Sequence, residues 1–340
     1  MLSYMSVGNN TLSQKQIFQI RQQQYSSPDL DLIEAPWGFG GTDNLAQEGA
    51  HAFLGNQELV KKLTAIGSVA REIHPPSLGP FEVEEEPQKI RNLTAILTVN
   101  NWLADTVKHS LAEGHIPIVF GGDGSLSIAS VSALVEFYGT SARDDIGIIW
   151  ISNHFCNSSP RVTKSWNANR MTFTALTFTG EAKHPDFIKL MNFRNLPAPI
   201  FNKQNVVHFA INHKSAQEAE DHRFFTMEEI EEIGVTEAIN QAIDALEHCK
   251  HLHLIWDVNS LDLGGVSNYS LGQLRYREAL SIARIIDVRI RRQNKLRSID
   301  IVEHCPSREA WDKKGETAEW ITDILCNIFG ENIFNAARKY

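Results

Sequence analysis

The chain has 340 residues, of which 42% are hydrophobic and 21% charged, and its formal net charge at neutral pH is −9. This acidic balance, without a block of basic residues, argues against nucleic acid and anionic membranes as partners. No apolar run reaches the roughly 20 residues that a membrane span needs, and residues 1–10 lack the pattern of a secretory signal. The four cysteines are widely spaced, which is typical of reduced thiols, so we expect a globular cytoplasmic protein.

Strand and helix patterns alternate along the chain. Continuous apolar runs predict strands at residues 30–35, 116–120, 146–151, 205–211, 251–256 and 298–302. Helical periodicity predicts helices at about residues 45–66, 93–113, 126–138, 235–249, 275–293 and 317–329. A stretch rich in proline and glutamate, residues 74–87, is typical of a surface loop. Because repeated βα units with apolar strands form parallel sheets covered on both faces, the pattern predicts an α/β fold with three layers. We expect one domain over residues 1–340, with residues 1–28 peripheral or poorly structured.

Three of the predicted strands end in polar clusters. These segments read IVFGGDGS at residues 118–125, IIWISNHFC at 148–156 and LIWDVNSLD at 254–262. The carboxyl ends of strands are where open α/β sheets bind ligands, so we expect the clusters to form one site. Divalent metals are held by Asp, His and Glu side chains. The clusters offer Asp123, His154, Asp257 and Asp262 for this role, interleaved with Gly124, Ser152, Cys156 and Asn259.

The three motifs resemble those of the ureohydrolase family of arginase, agmatinase and formiminoglutamase, which hydrolyses guanidino-type carbon–nitrogen bonds with two Mn(II) ions. The family motifs read GGDH, DAHxD and DVDxxDP, whereas this sequence reads GGDG, SNHFC and DVNSLD. By this resemblance only two of six ligand positions keep their side chains, His154 and Asp257. The other four positions carry Gly124, Ser152, Cys156 and Asn259.

The resemblance extends over residues 32–340. Residues 33–50, 274–286 and 298–306 are similar to further segments of the family, and Glu303 stands at the position of its substrate-binding glutamate. The resemblance implies a three-layer arginase/deacetylase-like fold with a mostly parallel sheet. It also implies a homo-oligomer, either a trimer or a hexamer.

The segment that resembles the family's substrate loop, KSWNANRM at residues 164–171, has also changed. Ser165 matches a substrate-binding serine, Ser158 stands where the family has a substrate-binding asparagine, and Asn169 replaces a catalytic histidine. Arg170 replaces a glycine and would repel a cationic guanidinium if it points inward; otherwise it is a solvated loop residue. The family's loop after the third motif corresponds to residues 264–272 and is shorter here.

Several alternatives stay open at these motifs. The GGDGS segment fits a tight strand-to-helix turn capped by Ser125, or a phosphate cradle like the nucleotide loops of NAD kinases and diacylglycerol kinases. His154 and Asp257 are either a residual metal pair or a buried, hydrogen-bonded couple. Cys156 is either a buried thiol or, with those two residues, a ligand of a single Zn(II). Because a binuclear manganese site needs a carboxylate-rich cage, we expect no metal cofactor.

Two classes of function follow from this sequence. The first is a pseudoenzyme with the ureohydrolase fold and no amidinohydrolase activity. The second is a hydrolase of a guanidino or amidino bond with a single or altered metal site, or a metal-free activity of His154, Cys156, Asp257 and Glu303. Asn169 belongs to the same vestigial site. The remaining carboxylates favour an amine-bearing small molecule as the ligand.

Overall fold

The computed structural model describes residues 28–66, 68–212, 222–266 and 273–330. Its centre is a parallel sheet of eight strands in the order β2-β1-β3-β8-β7-β4-β5-β6. The strands are β1 (Asp29–Ala35), β2 (Ser68–Ile73), β3 (Ile116–Gly121), β4 (Ile146–Ile151), β5 (Val206–Ile211), β6 (Arg223–Thr226), β7 (His251–Asp257) and β8 (Leu296–Val302).

Ten α-helices of the described residues cover the sheet. They are α1 (Gln47–Leu54), α2 (Gln57–Ile66), α3 (Leu93–Ala112), α4 (Ser127–Tyr138), α5 (Thr172–Thr177), α6 (Pro185–Met191), α7 (Met227–Ile233), α8 (Val235–Asp244), α9 (Tyr276–Ile286) and α10 (Glu316–Ile328). A π-helix, Asp287–Arg291, continues α9.

The core divides into two apolar clusters, one on each face of the sheet. Alternate residues of a strand face opposite sides, so Ile118 and Phe120 belong to one cluster and Val119 to the other. Side chains of α1, α2, α8, α9 and α10 pack in the first cluster, and those of α3, α4, α5 and α6 in the second. The predicted three-layer α/β/α fold with a parallel sheet is therefore confirmed. The prediction of one domain stays a prediction, and residues 1–27 lie outside the described residues.

Several predicted boundaries were wrong. Residues 45–66 hold two helices, because α1 ends at Leu54 and α2 starts at Gln57. The helix predicted at residues 235–249 ends at Asp244. Both edge strands, β2 and β6, were missed, because these short segments carry charged residues that break an apolar run.

Candidate functional site

A cleft of about 520 Å³ lies at the carboxyl end of the sheet, where β3, β8, β7 and β4 are neighbours. This strand order places Asp123, Glu303, Asp257 and His154 along one wall, although they come from four separate segments of the chain. All four side chains line the cleft, so the structure brings the three polar motifs together as the sequence predicted. Asp262 does not join them; it lies in a different cavity beside Glu309.

Both carboxylate oxygens of Asp257 accept hydrogen bonds within the protein. Oδ2 accepts from the Ser152 hydroxyl at 2.7 Å, and Oδ1 accepts from the backbone N–H of Asn259 at 2.8 Å. The Ser152 hydroxyl in turn accepts from the backbone N–H of His154 at 3.1 Å. Burial, together with the negative charge of Glu303, raises the pKa of Asp257 above its usual range. The geometry matches the alternative of a buried, hydrogen-bonded polar group at this position.

Asp123 closes the turn between β3 and α4. Its two oxygens accept from the backbone N–H groups of Gly40 and Ser125, each at 2.8 Å. Burial and the charge of Glu303 raise its pKa, while these hydrogen bonds oppose the shift. The turn is therefore capped by Asp123, whereas the tight-turn alternative had Ser125 in this role. Gly122 is required there because a Cβ would lie 2.0 Å from the carbonyl oxygen of Trp37.

The backbone amides of the GGDG turn face carboxylates. The N–H of Gly124 donates to Glu303 Oε1 at 2.8 Å, and that of Ser125 donates to Asp123. A phosphate cradle needs such amides to be free for an anion. The alternative of a nucleotide loop is therefore not supported by the geometry of the turn.

Glu303 is fixed in the cleft by an uncommon backbone conformation. Its φ is +70°, a region that non-glycine residues occupy rarely and that clusters at functional sites. Its N–H donates to the carbonyl of Gly122 at 2.7 Å, and its Oε1 also accepts from Asn169 Nδ2 at 3.3 Å. The amide of Asn169 thus orients a carboxylate where the family pattern has a histidine.

His154 and Cys156 also line the cleft. Burial lowers the pKa of the His154 imidazole and raises the pKa of the Cys156 thiol well above its usual value, which disfavours a thiolate. Within the described ranges, one set of three His, Cys, Asp or Glu side chains has all its ligand atoms within 4.8 Å of one another, and it comprises Asp31, Glu113 and His115. That set lies at the amino end of the sheet, so the geometry does not support a zinc site at His154, Cys156 and Asp257.

The predicted substrate residues divide into two groups. Ser158 and Arg170 line the cleft. Of the two alternatives for Arg170, the structure therefore matches the one in which its side chain faces the cleft. Ser165 does not line it, and its hydroxyl accepts a 3.4 Å hydrogen bond from the N–H of Asn167. In the loop predicted to be shortened, residues 267–272 lie outside the described residues.

Sequence reasoning missed an ion pair at the rim of the cleft. Arg308 donates to Asp43 at 2.6 Å, and both side chains line the cleft. The two residues are 265 positions apart, and neither belongs to a strand-ending motif. Arg308 follows β8 and Asp43 follows β1, and these two strands are separated only by β3 in the sheet. Their positions after these strands were the one feature of the sequence that could have indicated the pair.

Comparison with known proteins assigns the chain to a family. The model of the arginase family matches residues 51–330, which is most of the chain. The chain belongs to the arginase family. An arginase of Staphylococcus aureus (strain COL) is 27% identical over 316 residues, which cover 89% of this chain and 98% of that protein. An arginase of Bacillus subtilis (strain 168) is 26% identical over 278 residues, covering 78% and 87%. The solved arginase structure from Bacillus cereus aligns with a TM-score of 0.74 at 24% identity, over 90% of this chain and 99% of that one.

The family resemblance implies two manganese ions, but the side chains of this chain do not fit them. Position 124 is a glycine and offers no ligand atom. At position 152 a hydroxyl donates to Asp257, where a bridging carboxylate would have to neutralise metal charge. Cys156 and Asn259 supply a protonated thiol and a neutral amide in place of carboxylates. We therefore derive no step of chemistry through a binuclear metal centre.

Proposed function

We propose that this arginase-family protein is a pseudoenzyme: a small-molecule-binding protein that has lost the binuclear manganese site and does not hydrolyse guanidino compounds. The hydrogen bond from Ser152 to Asp257 carries the proposal. It occupies one oxygen of the retained aspartate with a neutral donor, at the place where the family pattern requires a second carboxylate. Gly124 has no side chain, so a further ligand of the family pattern is missing at this position.

The chemistry of hydrolysis supports this proposal. A metal lowers the pKa of bound water from about 15.7 to about 7, and without it almost no hydroxide is available at neutral pH. Asn169 cannot replace this activation, because an amide does not exchange protons as an imidazole does. The side-chain amide of Asn169 also donates a hydrogen bond to Glu303 Oε1.

The charges of the cleft favour a particular ligand. Asp123, Asp257 and Glu303 line it, and all three are buried almost completely. Burial and the charge of Glu303 raise the pKa values of Asp123 and Asp257, and a cationic amine on the ligand would relieve the repulsion and stabilise the ionised carboxylates. We include in the proposal an amine-bearing small molecule, a cytoplasmic location and assembly as a homo-oligomer. No helix of the described ranges is both long and apolar enough to cross a membrane.

A second candidate is a hydrolase with a single or altered metal site. The observation in its favour is that His154, Cys156 and Asp257 all line the same cleft. Their ligand atoms would have to move closer together before they held one ion.

Release of urea or formamide tests the proposal. The purified protein, supplied with Mn(II), is incubated with arginine, agmatine or formiminoglutamate, and we expect product formation at the background rate. The control is Asp257→Ala, which removes a retained ligand position. Product formation above background that disappears in this variant would overturn the proposal in favour of the hydrolase.

A further inference from the structure

The two arginines of the cleft differ in how their charges are balanced. Arg308 forms an ion pair with Asp43 at 2.6 Å. The guanidinium of Arg170 makes no ion pair or hydrogen bond with any residue of the described ranges, yet it lines the same cleft. Arg170 is therefore an exposed positive charge that has no ion-pair partner among the described residues.

The backbone that carries Arg170 is held on both sides. Its carbonyl accepts from the N–H of Ser158 at 2.8 Å, and the N–H of Asn169 donates to the carbonyl of Gly40 at 3.1 Å. Two residues further on, the hydroxyl of Thr172 donates to the carbonyl of Gly124 at 3.3 Å. Such anchoring lowers the entropy that a binding residue loses when a ligand orders it.

The positive charge of Arg170 affects the pKa values of two other groups in the cleft, His154 and Cys156. Burial is the main reason that the pKa of His154 is low, and the positive charge of Arg170 lowers it further. The same charge partly opposes the rise that burial causes in the pKa of Cys156. The cleft thus carries a guanidinium near its opening and the carboxyl groups of Asp257 and Glu303 deeper inside.

We propose that Arg170 is a specificity-determining residue that binds an anionic group, a carboxylate or a phosphate, on the ligand whose cationic group faces Glu303. Both anions offer paired oxygens that match the planar fork of a guanidinium. The Ser158 hydroxyl, beside Arg170 in the cleft lining, supplies a further donor. The cleft volume of about 520 Å³ suits a small molecule that carries both charges.

This inference rests on the proposed function, because it assigns the ligand of the metal-free cleft. It makes position 170, a glycine in the family pattern, select for a ligand with an anionic group. A simple diamine or agmatine meets repulsion from Arg170, whereas a molecule with an amine at one end and an anion at the other is attracted at both ends.

Calorimetric titration with matched probes tests the inference. Lysine and cadaverine differ only by a carboxylate, and phosphoethanolamine and ethanolamine differ only by a phosphate. None of the four has a guanidino or amidino bond, so their binding is read independently of any hydrolysis. We expect the wild-type protein to bind the anionic member of at least one pair more tightly than its partner, and the pair that shows the difference identifies the anion.

Variants at position 170 decide the role of the side chain. Arg170→Gln should weaken binding of the anionic member at least about tenfold, as for loss of a charge-assisted pair. The same change should not weaken binding of the purely cationic member, and should tighten it where Arg170 repels it. Arg170→Glu should reverse the preference within the pair. The matched control is Arg161→Gln, an exposed arginine of the same segment that lines a different cavity, and it should change neither affinity.

Equal weakening of both members by Arg170→Gln would overturn the inference, as would a wild-type preference for cadaverine and ethanolamine. Absence of binding by all four probes at millimolar concentration would overturn it too. Urea release from arginine would overturn the proposed function but leave these binding outcomes as they stand.

Discussion

Restoring the four replaced ligands should restore metal binding. The variant carries Gly124→His, Ser152→Asp, Cys156→Asp and Asn259→Asp, added to the retained His154 and Asp257. The backbone allows the largest of these changes, because a Cβ at Gly124 would meet only Glu303 Oε1, at an ordinary contact distance of 3.5 Å. The Ser152→Asp change brings a second carboxylate to Asp257, whose oxygen now lies 2.7 Å from the Ser152 hydroxyl.

The size of the effect follows from mass action and from the length of the chain. Without metal, two adjacent carboxylates cannot both ionise freely, so the metal-free variant should unfold at a lower temperature than the wild type. A ligand that binds only the folded state at 100 times its Kd stabilises it by about 2.7 kcal/mol. For 340 residues, with an unfolding entropy of about 2.1 cal/mol/K per residue, this corresponds to a rise in Tm of about 4 °C.

Differential scanning calorimetry with and without Mn(II) measures this rise. The control adds Asp257→Asn to the same four changes, which removes the shared carboxylate and should abolish the manganese response. Hydrolysis should remain weak in the restored variant, because Asn169 and Ser158 still replace family residues and misplacement by about 1 Å can cost a hundredfold in rate. A restored variant whose Tm does not respond to manganese would show that the strand ends have diverged together with their side chains.

Further predictions concern stability. Burial raises the pKa of Glu309, but the neighbouring His304 imidazole, 3.6 Å away, and hydrogen bonds from the backbone amides of Gly315 and Thr317 outweigh it and lower the pKa to about 2. Since this value lies below the unfolded value of about 4.3, the carboxylate stabilises the fold above about pH 4 and progressively less towards pH 2. Urea unfolding should therefore show Glu309→Gln to be destabilised at pH 7, with a difference from the wild type that shrinks at pH 3; a constant difference would contradict this. Phe53 is fully buried against Phe120 and His304, so Phe53→Ala should lower the free energy of unfolding by about 3–5 kcal/mol. If urea unfolding shows that Phe53→Ala lowers the free energy of unfolding by less than about 1 kcal/mol, the close packing of Phe53 against Phe120 and His304 is contradicted.

The sequence was sufficient to predict the layers of the fold and the position of the cleft. Continuous apolar strands have no polar face, so they had to be covered on both sides. The polar clusters all follow predicted strands, and parallel strands bring their carboxyl ends to one edge. His154, Asp257 and Glu303 therefore meet as the motifs predicted, and all of them line the cleft.

The pairing of individual groups could not be predicted from the sequence. The hydrogen bond from the Gly124 amide to Glu303 joins residues 179 positions apart, and nothing in either motif indicates it. The same is true of the pair formed by Asp43 and Arg308. The sequence left the orientation of Arg170 open, because it depends on how its loop is anchored to the Ser158 backbone. Such contacts depend on strand order, which local periodicity does not determine.

The manganese content of the purified protein tests the loss of the metal site most directly. The protein is loaded with Mn(II), freed of unbound metal without a chelator and measured by elemental analysis. Because Gly124, Ser152, Cys156 and Asn259 do not supply the ligands of a binuclear cage, we expect far less than one manganese ion per chain. Two ions per chain would contradict the proposal that this arginase-family cleft has lost its manganese site.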